Sequence, residues 1–235
     1  MRILVTGGAG FIGSHVIKKL LQNKENVVFN LDKMGYASST YMLDKLIKEN
    51  SSISRNQYKF LNIDLASRAQ TELAVEEAKP NLIMHLAAES HVDRSIDGPE
   101  EFIKSNIVGT FNLLESARKF WSGLNSDKKD DFRFHHISTD EVFGSLGDSG
   151  SFSEETPYDP RSPYSASKAS SDHLVKAWFH TYRMPILLTN CSNNFGPWQF
   201  PEKLIPLVIF KAFQNEKIPI YGDGLNIRDW LFIDD

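Results

Sequence analysis

The residues with the clearest chemical potential are Tyr164 and Lys168, which form the pattern Y-x-x-x-K near the start of a predicted helix. Residues i and i+4 share one face of a helix, so the lysine ammonium can sit beside the phenol. A neighbouring cation lowers the pKa of a phenol and makes it a usable base near neutral pH. The spacing therefore predicts a pair that removes a proton from a hydroxyl. The alternative is an unreactive pair on the surface.

A second reactive segment, Thr139-Asp140-Glu141, follows a predicted strand. The hydroxyl of Ser138 or Thr139 can bond a substrate oxygen that is being oxidised. Two adjacent carboxylates repel each other and lose solvation, which tends to raise the pKa of one of them and leaves an acid beside a base. An elimination requires such a pair, whereas simple hydride transfer does not. The alternative is that Asp140 only caps the following turn.

The turn after the first predicted strand has the sequence GGAGFIG, which contains Gly7, Gly10 and Gly13. Glycine lets the backbone turn sharply and approach a pyrophosphate, and the helix that follows offers N–H groups to that anion. Asp32 ends the next strand about 20 residues on and can accept from an adenosine ribose hydroxyl. Its charge favours NAD over NADP, although Lys33 beside it weakens that preference. The alternative is a purely structural glycine turn.

Alternating strands and helices must position these residues. Apolar runs predict strands at residues 2–6, 27–31, 58–63, 81–86, 132–138 and 185–189. Helical spacing predicts helices at residues 11–22, 100–121 and 164–183, and one that ends at residues 79–80. This order predicts an α/β fold, a Rossmann-like doubly wound parallel sheet with helices on both faces. Asp64, after the third strand, is expected either to reach the adenine or to cap a helix.

Two segments interrupt this alternation, residues 144–163 and residues 193–206, and both are rich in glycine or proline. Both follow the carboxyl ends of strands, where ligands bind in open α/β sheets. Residues 1–192 are predicted to form an NAD-binding domain. Residues 193–235 contain a predicted helix at 207–214 and the apolar runs IPIY and WLFI. We expect them to be the start of a smaller substrate-binding region and not its completion.

Composition narrows the class of partner. The chain has 235 residues, of which 41% are hydrophobic, enough for one large core or for one domain plus part of another. The 26 basic and 30 acidic residues give a net charge of −4 without long blocks of one sign, so we expect a small-molecule partner, with no nucleic acid and no membrane. The single cysteine, Cys191, fits a reducing compartment and predicts a cytoplasmic location. The histidines lack a metal-binding pattern, so no metal site is expected.

Several segments together resemble the dTDP-glucose 4,6-dehydratase family of the extended short-chain dehydrogenase/reductase superfamily. They are HLAAESHVDRSI, NIVGT, HHISTDEVFG, SPYSASKASSDHLV, TNCSNNFGPWQFPEKLIP and IRDWLFIDD, and the likeness runs from Met1 to Asp235. The resemblance implies a lyase that keeps NAD bound and dehydrates dTDP-glucose. It also implies a homodimer, in which the helices at 100–121 and 164–183 pair across a two-fold axis. Packing of these helices inside one monomer is the competing explanation.

The resemblance implies roles for five catalytic residues. Tyr164, assisted by Lys168 and Thr139, would take the proton of the sugar 4-hydroxyl while hydride leaves C4. Glu141 would then remove the C5 proton, and Asp140 would protonate the departing 6-hydroxyl.

The resemblance also implies two sets of binding residues. The residues expected at the cofactor are Gly7, Gly10, Phe11, Ile12, Gly13, Asp32, Lys33, Met34, Gly35, Asp64, Leu65, Leu86, Ala87, Ala88, Glu89, Ser90, Ser105, Tyr164, Lys168 and Asn194. The residues expected at the substrate are Ser90, Thr139, Asp140, Glu141, Asn193, Lys203, Leu204, Pro219, Ile220, Tyr221 and Arg228. Alternatively, Asn193 and Asn194 only form turns, and Arg228 pairs with Asp229.

The sequence is also compatible with two rival functions. A related sugar-nucleotide enzyme, such as a 4-epimerase or a UDP-hexose dehydratase, shares the Tyr164 and Lys168 pair, but the adjacent carboxylates disfavour the epimerase. The other rival is a non-catalytic NAD-binding fragment, because members of the resembled family continue well beyond the segment that matches Asp235.

Overall fold

The computed structural model describes residues 1–147, 149–220 and 222–235, without the side chain of Arg55. The strands in this part of the chain are β1 (Arg2–Thr6), β2 (Val27–Asp32), β3 (Tyr58–Asn62), β4 (Leu82–His85), β5 (Arg133–Thr139), β6 (Ile186–Cys191), β7 (Asn193–Phe195) and β8 (Trp230–Phe232). The α-helices are α1 (Phe11–Leu20), α2 (Tyr41–Glu49), α3 (Arg68–Ala78), α4 (Val92–Asp97), α5 (Pro99–Phe102), α6 (Gly109–Ser122), α7 (Ser126–Asp131), α8 (Pro163–Tyr182) and α9 (Leu204–Phe213). A π-helical segment, Ile103–Val108, joins α5 to α6, and short 3-10 helices span Arg55–Gln57 and Asp140–Phe143.

The first six strands form one sheet in the order β3-β2-β1-β4-β5-β6. The β1 strand lies near the centre and pairs in parallel with β2 and β4, and β2–β3 and β4–β5 are also parallel. The predicted strands are all present, with ends that differ by at most two residues. The carboxyl ends of β1, β2, β4 and β5 therefore meet at one edge of the sheet, where the loops carry most of the predicted site.

Helices cover both faces of this sheet. Leu4 of β1 packs in one buried cluster with residues of α3, α6 and α8. Its neighbours Ile3 and Val5 point the other way and pack in a second cluster with residues of α1 and α2. Side chains of a strand alternate between the two faces, so a nearly continuous apolar run such as β1 requires a cover on each side. The predicted doubly wound α/β fold is confirmed.

Several helix predictions need correction. The helix predicted at 100–121 begins at Pro99, ends at Ser122 and contains the π-helical segment, which its sequence spacing did not indicate. The helix predicted at 207–214 begins at Leu204 instead. Pro206 is tolerated there because the first-turn N–H groups of a helix have no intrahelical acceptor. Within the described residues, no helix combines the length and the apolar character that crossing a membrane requires.

Contacts divide the chain into two compact units, Met1–Asn190 and Cys191–Asp235. In the second unit, β7 and β8 pair in parallel, with Asn193 opposite Trp230. The ring of Phe195 contacts the rings of Trp230 and Phe232, which supplies the apolar contact of this small sheet. The predicted run WLFI thus forms a strand, whereas the residues of IPIY that are described do not.

Candidate active site

The glycine-rich turn joins β1 to α1 with very little space around it. Gly7 has a left-handed φ of 73°, and its N–H donates to the carbonyl of Leu31 at 2.8 Å. A β-carbon on Gly13 would lie 2.2 Å from the Gly7 carbonyl oxygen. The N-cap of α1 is Gly10, so no side chain fills the space in front of the first helical turn. The turn is therefore shaped for close approach of a ligand to backbone N–H groups.

Asp32 is buried at the carboxyl end of β2. Its carboxylate accepts the N–H groups of Ala9 and Met34 at 3.0 and 2.8 Å and the hydroxyl of Ser38 at 3.0 Å. A carboxylate offers about four acceptor positions, so one remains for a further donor such as a ribose hydroxyl. The bond to Ala9 also ties Asp32 directly to the glycine-rich turn.

Lys33 was expected to weaken the preference for NAD over NADP, but its ammonium is already paired in the structure. Its ammonium lies 2.7 Å from a carboxylate oxygen of Glu89 and donates to the hydroxyl of Ser105 at 2.8 Å. The carboxylate of Glu89 offsets the positive potential that Lys33 would otherwise present to a 2′-phosphate. The paired arrangement therefore favours a dinucleotide with a free 2′-hydroxyl.

Asp64 lies in the turn before α3 and does not cap that helix, and the expectation that it reaches the adenine stays a prediction. Its carboxylate accepts the N–H of Ala66 at 2.9 Å, and the N-cap of α3 is Ser67. Asp64 is thus part of the turn before the helix, and the prediction that it caps the helix is wrong. The neighbouring Leu65 is buried in the core on the α3 side of the sheet, and its carbonyl accepts from Asn112 at 2.8 Å.

The loop after β4 is held by Asn106, which lies in the π-helical segment and is buried. Its side-chain oxygen accepts the N–H of Glu89 at 2.8 Å, and its amide nitrogen donates to the Glu89 carbonyl and to the hydroxyl of Ser167. One side chain therefore joins the loop to α8. This role of Asn106 is not predictable from its neighbours in sequence, because its partners lie 17 and 61 residues away.

Tyr164, the predicted general base, and its neighbour Lys168 lie on a buried face of α8. This helix begins at Pro163 behind the N-cap Ser162, whose side chain and that of Ser165 form a capping box. Tyr164 and Lys168 are 8% and 5% exposed, so the alternative of a surface pair is wrong. The ammonium of Lys168 donates to the carbonyl of Ile137 in β5 at 2.8 Å. This bond ties the helix that carries the base to the strand that leads to the carboxylates.

Thr139 ends β5 and is buried, and it caps the short 3-10 helix that follows. Its hydroxyl accepts the N–H of Glu141 at 3.2 Å and donates to the carboxylate of Asp140 at 3.2 Å. Asp140 is therefore not the capping residue. Both carboxylates are half-buried directly after the strand. Ser138, the other candidate hydroxyl, donates instead to the buried carboxylate of Asp172 at 2.7 Å.

Two buried histidines lie side by side under this site, with ring centres 5.1 Å apart. His136 lies 3.0 Å from a carboxylate oxygen of Asp172, and burial, together with the nearby charge of Lys168, lowers its pKa to about 4. Burial, followed by the proximity of His136, also holds the pKa of His85 well below its usual value. Both rings are neutral at neutral pH, as structural residues would be.

Lowering the pH from 6.5 toward 4 is expected to reduce the free energy of unfolding. The folded-state pKa of His136 is about 4, below its ordinary 6.5, so over this range the unfolded chain binds a proton that the folded chain does not. The loss is about 1.4 kcal/mol per pH unit for this residue. Urea unfolding at several pH values across the range measures the slope. In His136→Gln the slope should be smaller by this amount, and an unchanged slope would contradict the assignment.

The second unit carries most of the residues predicted at the substrate. Asn193 and Asn194 lie in β7, where the prediction that they only form turns is wrong, and Lys203 is the N-cap of α9. Arg228 donates to the carbonyl of Ile227 at 2.8 Å. Leu204 opens α9, Pro219 and Ile220 lie outside regular structure, and Tyr221 lies outside the described residues.

The fold and the site define a Rossmann-like protein of the short-chain dehydrogenase/reductase type. The chain belongs to the GDP-mannose 4,6 dehydratase family, whose model matches residues 4–235. The resemblance that the motifs indicated is confirmed by relatives described as dTDP-glucose 4,6-dehydratases, which match the whole of this chain.

Individual relatives sharpen this placement. A dTDP-glucose 4,6-dehydratase from Neisseria meningitidis serogroup B is 54% identical over 235 residues, which cover 100% of this chain and 64% of that protein. A dTDP-glucose 4,6-dehydratase from Streptomyces venezuelae, solved with NAD bound, has a TM-score of 0.88 and 40% identity, and the match covers 100% of this chain and 69% of that one. A UDP-glucuronic acid 4-epimerase from Bacillus cereus, solved with UDP-glucuronic acid and NAD, has a TM-score of 0.85 and 30% identity, and the match covers 100% and 70%. The chain thus spans less than two thirds of the length of the Neisseria relative.

Proposed function

We propose that this chain carries the cofactor-binding and catalytic part of a dTDP-glucose 4,6-dehydratase. The observation that carries the proposal is the link between two sets of groups. The adjacent carboxylates Asp140 and Glu141 follow β5 directly, and β5 is bonded through Ile137 to Lys168, one turn beyond Tyr164 on α8. Oxidation of a hydroxyl needs a base such as Tyr164 with Lys168 beside it, and loss of water needs an acid and a base such as Asp140 and Glu141 supply. The similarity to dTDP-glucose 4,6-dehydratases supports the same reaction.

The residues present fit NAD. A β-carbon at Gly7 would lie 2.6 Å from the backbone nitrogen of Ala87, and one at Gly13 would meet Gly7, so both positions require glycine for the tight turn and the packing of α1. At the N-cap Gly10 no side chain covers the first turn of α1, which leaves its N–H groups to a pyrophosphate. Asp32 keeps an acceptor position for a ribose hydroxyl, and Lys33 is paired with Glu89. When bound, NAD would accept a hydride from C4 of the sugar and later return it to C6.

The side chains then perform the proton transfers. Tyr164, with Lys168 beside it and the hydroxyl of Thr139 on the sugar oxygen, takes the proton of the 4-hydroxyl as C4 becomes a ketone. The ketone acidifies the C5–H bond, and Glu141 removes that proton. Asp140 protonates the 6-hydroxyl, which leaves as water and creates a C5–C6 double bond. Hydride adds to C6 and a proton returns to C5, so the product is a 4-keto-6-deoxy sugar nucleotide.

A 4-epimerase is the second candidate, because the Bacillus cereus epimerase is also similar. Epimerisation needs oxidation, rotation of the ketone and reduction, but no acid–base pair for elimination. The carboxylates of Asp140 and Glu141 would have no task in that reaction. Dehydration therefore accounts for more of the site.

Incubating the protein with dTDP-glucose, UDP-glucose or GDP-mannose tests the reaction and the nucleotide preference. We expect a 4-keto-6-deoxy product from dTDP-glucose in preference to the other two, and no net accumulation of NADH, because the hydride returns to the product. An epimerised sugar that keeps its 6-hydroxyl would favour the epimerase. NAD binding without turnover of any of the three would favour a non-catalytic protein.

We further infer a homodimer that uses α6 and α8. The helices α6 and α8 pack on each other within the monomer, where Trp178 contacts Phe111 edge to face. Phe179 and Tyr182 of α8 are nevertheless exposed by 42% and 41%, and grouped exposed aromatic side chains are typical of protein interfaces. Light scattering should give a mass near twice that of the chain, and Phe179→Glu should shift it toward the monomer.

A cytoplasmic location stays a prediction from the single Cys191.

A further inference from the structure

The last residues of β5 are held by two charged side chains of α8. Lys168 donates to the carbonyl of Ile137 at 2.8 Å. One turn later on the same helix, Asp172 accepts from Ser138 at 2.7 Å and lies 3.0 Å from the ring nitrogen Nε2 of His136. Three consecutive strand residues are thus bonded to one face of α8. Thr139 and the carboxylate pair come immediately after them.

The same carboxylate also holds the segment that connects β5 to α8. The hydroxyl of Tyr158 donates to Oδ2 of Asp172 at 3.0 Å, the oxygen that Ser138 also bonds. The ring of Tyr158 contacts the ring of Phe143, at the end of the short helix formed by residues 140–143. Asp172 therefore joins the strand, the helix and the connecting segment around the predicted acid and base.

Asp172 is fully buried, and a carboxylate is costly to bury unless it is well compensated. Burial alone would raise the pKa of Asp172, but the hydrogen bonds from His136 and Ser138 and the charge of Lys168 hold it below its usual value. The carboxyl group is therefore ionised and acts as an acceptor from all three donors. A packed apolar side chain would fill the same space without this cost, so the retained charge points to a demand for fixed geometry.

We propose that Asp172 is a positioning residue for the dehydratase reaction, which fixes β5 against α8 and thereby sets the distance from the Thr139–Glu141 segment to Tyr164. The inference rests on the proposed function for its catalytic consequence. The claim that the buried carboxylate of Asp172 fixes the position of β5 does not depend on that function, because it follows from the hydrogen bonds of Asp172. The base Tyr164 and the carboxylates of Asp140 and Glu141 act on one sugar ring, so all of them must be within reach of it at the same time.

Asp172→Asn keeps the size of the side chain but replaces one acceptor oxygen by a donor. We expect kcat to fall by about 10²-fold, the loss that a displacement of about 1 Å causes in a preorganised site. The KM for dTDP-glucose and the content of bound NAD should change by less than about threefold, because the variant leaves the glycine-rich turn and Asp32 untouched. A purely structural role would lower the amount of folded, NAD-containing protein and leave kcat per bound NAD unchanged, which would overturn the inference.

Two variants that each remove one donor to Asp172 locate the effect and remain usable if Asp172→Asn does not fold. Ser138→Ala removes the bond to the strand. Tyr158→Phe keeps the ring and removes the bond to the connecting segment, together with the bond that the Tyr158 hydroxyl accepts from Lys176 at 3.2 Å. We expect Ser138→Ala to reproduce most of the loss of kcat, and Ser138→Ala with Asp172→Asn to lose little more than Asp172→Asn alone, because residues that act as one unit are not additive. A larger effect of Tyr158→Phe than of Ser138→Ala, or full additivity, would overturn the assignment to β5.

Hydrogen exchange separates failure of this inference from failure of the proposed function. Loss of the Asp172 bonds should speed amide exchange at residues 136–141 at least about tenfold. The reason is that a segment held by fewer hydrogen bonds unfolds locally at a lower free-energy cost. If the unchanged protein does not dehydrate dTDP-glucose but exchange at 136–141 rises in Asp172→Asn, the proposed function is wrong and the positioning by Asp172 stands. If exchange in that segment is unchanged, the positioning inference is wrong whatever the activity.

Discussion

The double variant Asp140→Asn, Glu141→Gln is expected to stop dehydration while leaving oxidation at C4 in place. The amides cannot deliver a proton to the 6-hydroxyl or take one from C5, whereas Tyr164 and Lys168 lie on a different element and are not altered. A positioned general acid or base contributes about 10²- to 10⁴-fold, so the formation of the 4-keto-6-deoxy product should fall by at least about 10²-fold. The hydride that leaves C4 then has no C6 acceptor. NADH absorbance should rise on addition of dTDP-glucose and persist.

The chain offers a matched control in Glu154 and Glu155, an adjacent and exposed acidic pair in the connecting segment. Changing both to Gln removes the same charge and should leave dehydration unchanged. The single variants Asp140→Asn and Glu141→Gln separate the two roles, because only the base is needed to exchange the C5 hydrogen with solvent deuterium. Full dehydration by the double variant would rule out these residues as acid and base. A variant that also fails to form NADH would mean that the carboxylates act on oxidation instead.

The strands and the glycine-rich turn were predictable because each is encoded by neighbouring residues. The β1 strand is apolar on both faces and is followed directly by glycines, so both its burial and the turn after it can be predicted from about a dozen neighbouring positions. The i, i+4 spacing of Tyr164 and Lys168 is equally local. What the sequence left open was whether this pair is buried, since burial depends on β5, which lies more than twenty residues earlier.

The parts that were missed depend on distant contacts. Asp172 meets Ser138 across 34 residues, and Lys33 meets Glu89 after the chain has crossed the sheet from β2 to β4. Nothing in the local pattern distinguishes such a residue from an exposed carboxylate or ammonium. The capping role also went to Thr139 and not to Asp140, because a threonine that ends a strand can accept from the N–H two residues on as readily as an aspartate can.

Gly13→Ala is expected to cost both stability and NAD affinity. The new β-carbon would lie 2.2 Å from the carbonyl oxygen of Gly7 and 2.8 Å from the α-carbon of Gly8, so backbone must move. The Gly7 carbonyl also accepts the N–H of Gly10 at 3.1 Å, and displacing it opens the turn on which the helix start depends. Overpacking of this kind costs about 1–3 kcal/mol or more. Urea unfolding should show that loss.

The affinity for NAD should fall by at least about tenfold, because a misplacement worth 1.4 kcal/mol at the pyrophosphate already has that effect. Gly123→Ala is the control, since Gly123 has an ordinary helical φ of −79° and a β-carbon there would lie 3.5 Å from the nearest atom, the carbonyl oxygen of Phe120. It should leave NAD affinity unchanged and raise stability by about 0.4–1 kcal/mol through the unfolded chain. If Gly13→Ala were as stable as the unchanged protein and bound NAD equally well, the turn would have room that the structure denies it, and the dinucleotide would have to bind elsewhere. If Gly13→Ala lost NAD but kept its stability, the new β-carbon would clash with the bound dinucleotide and not with the backbone of Gly7.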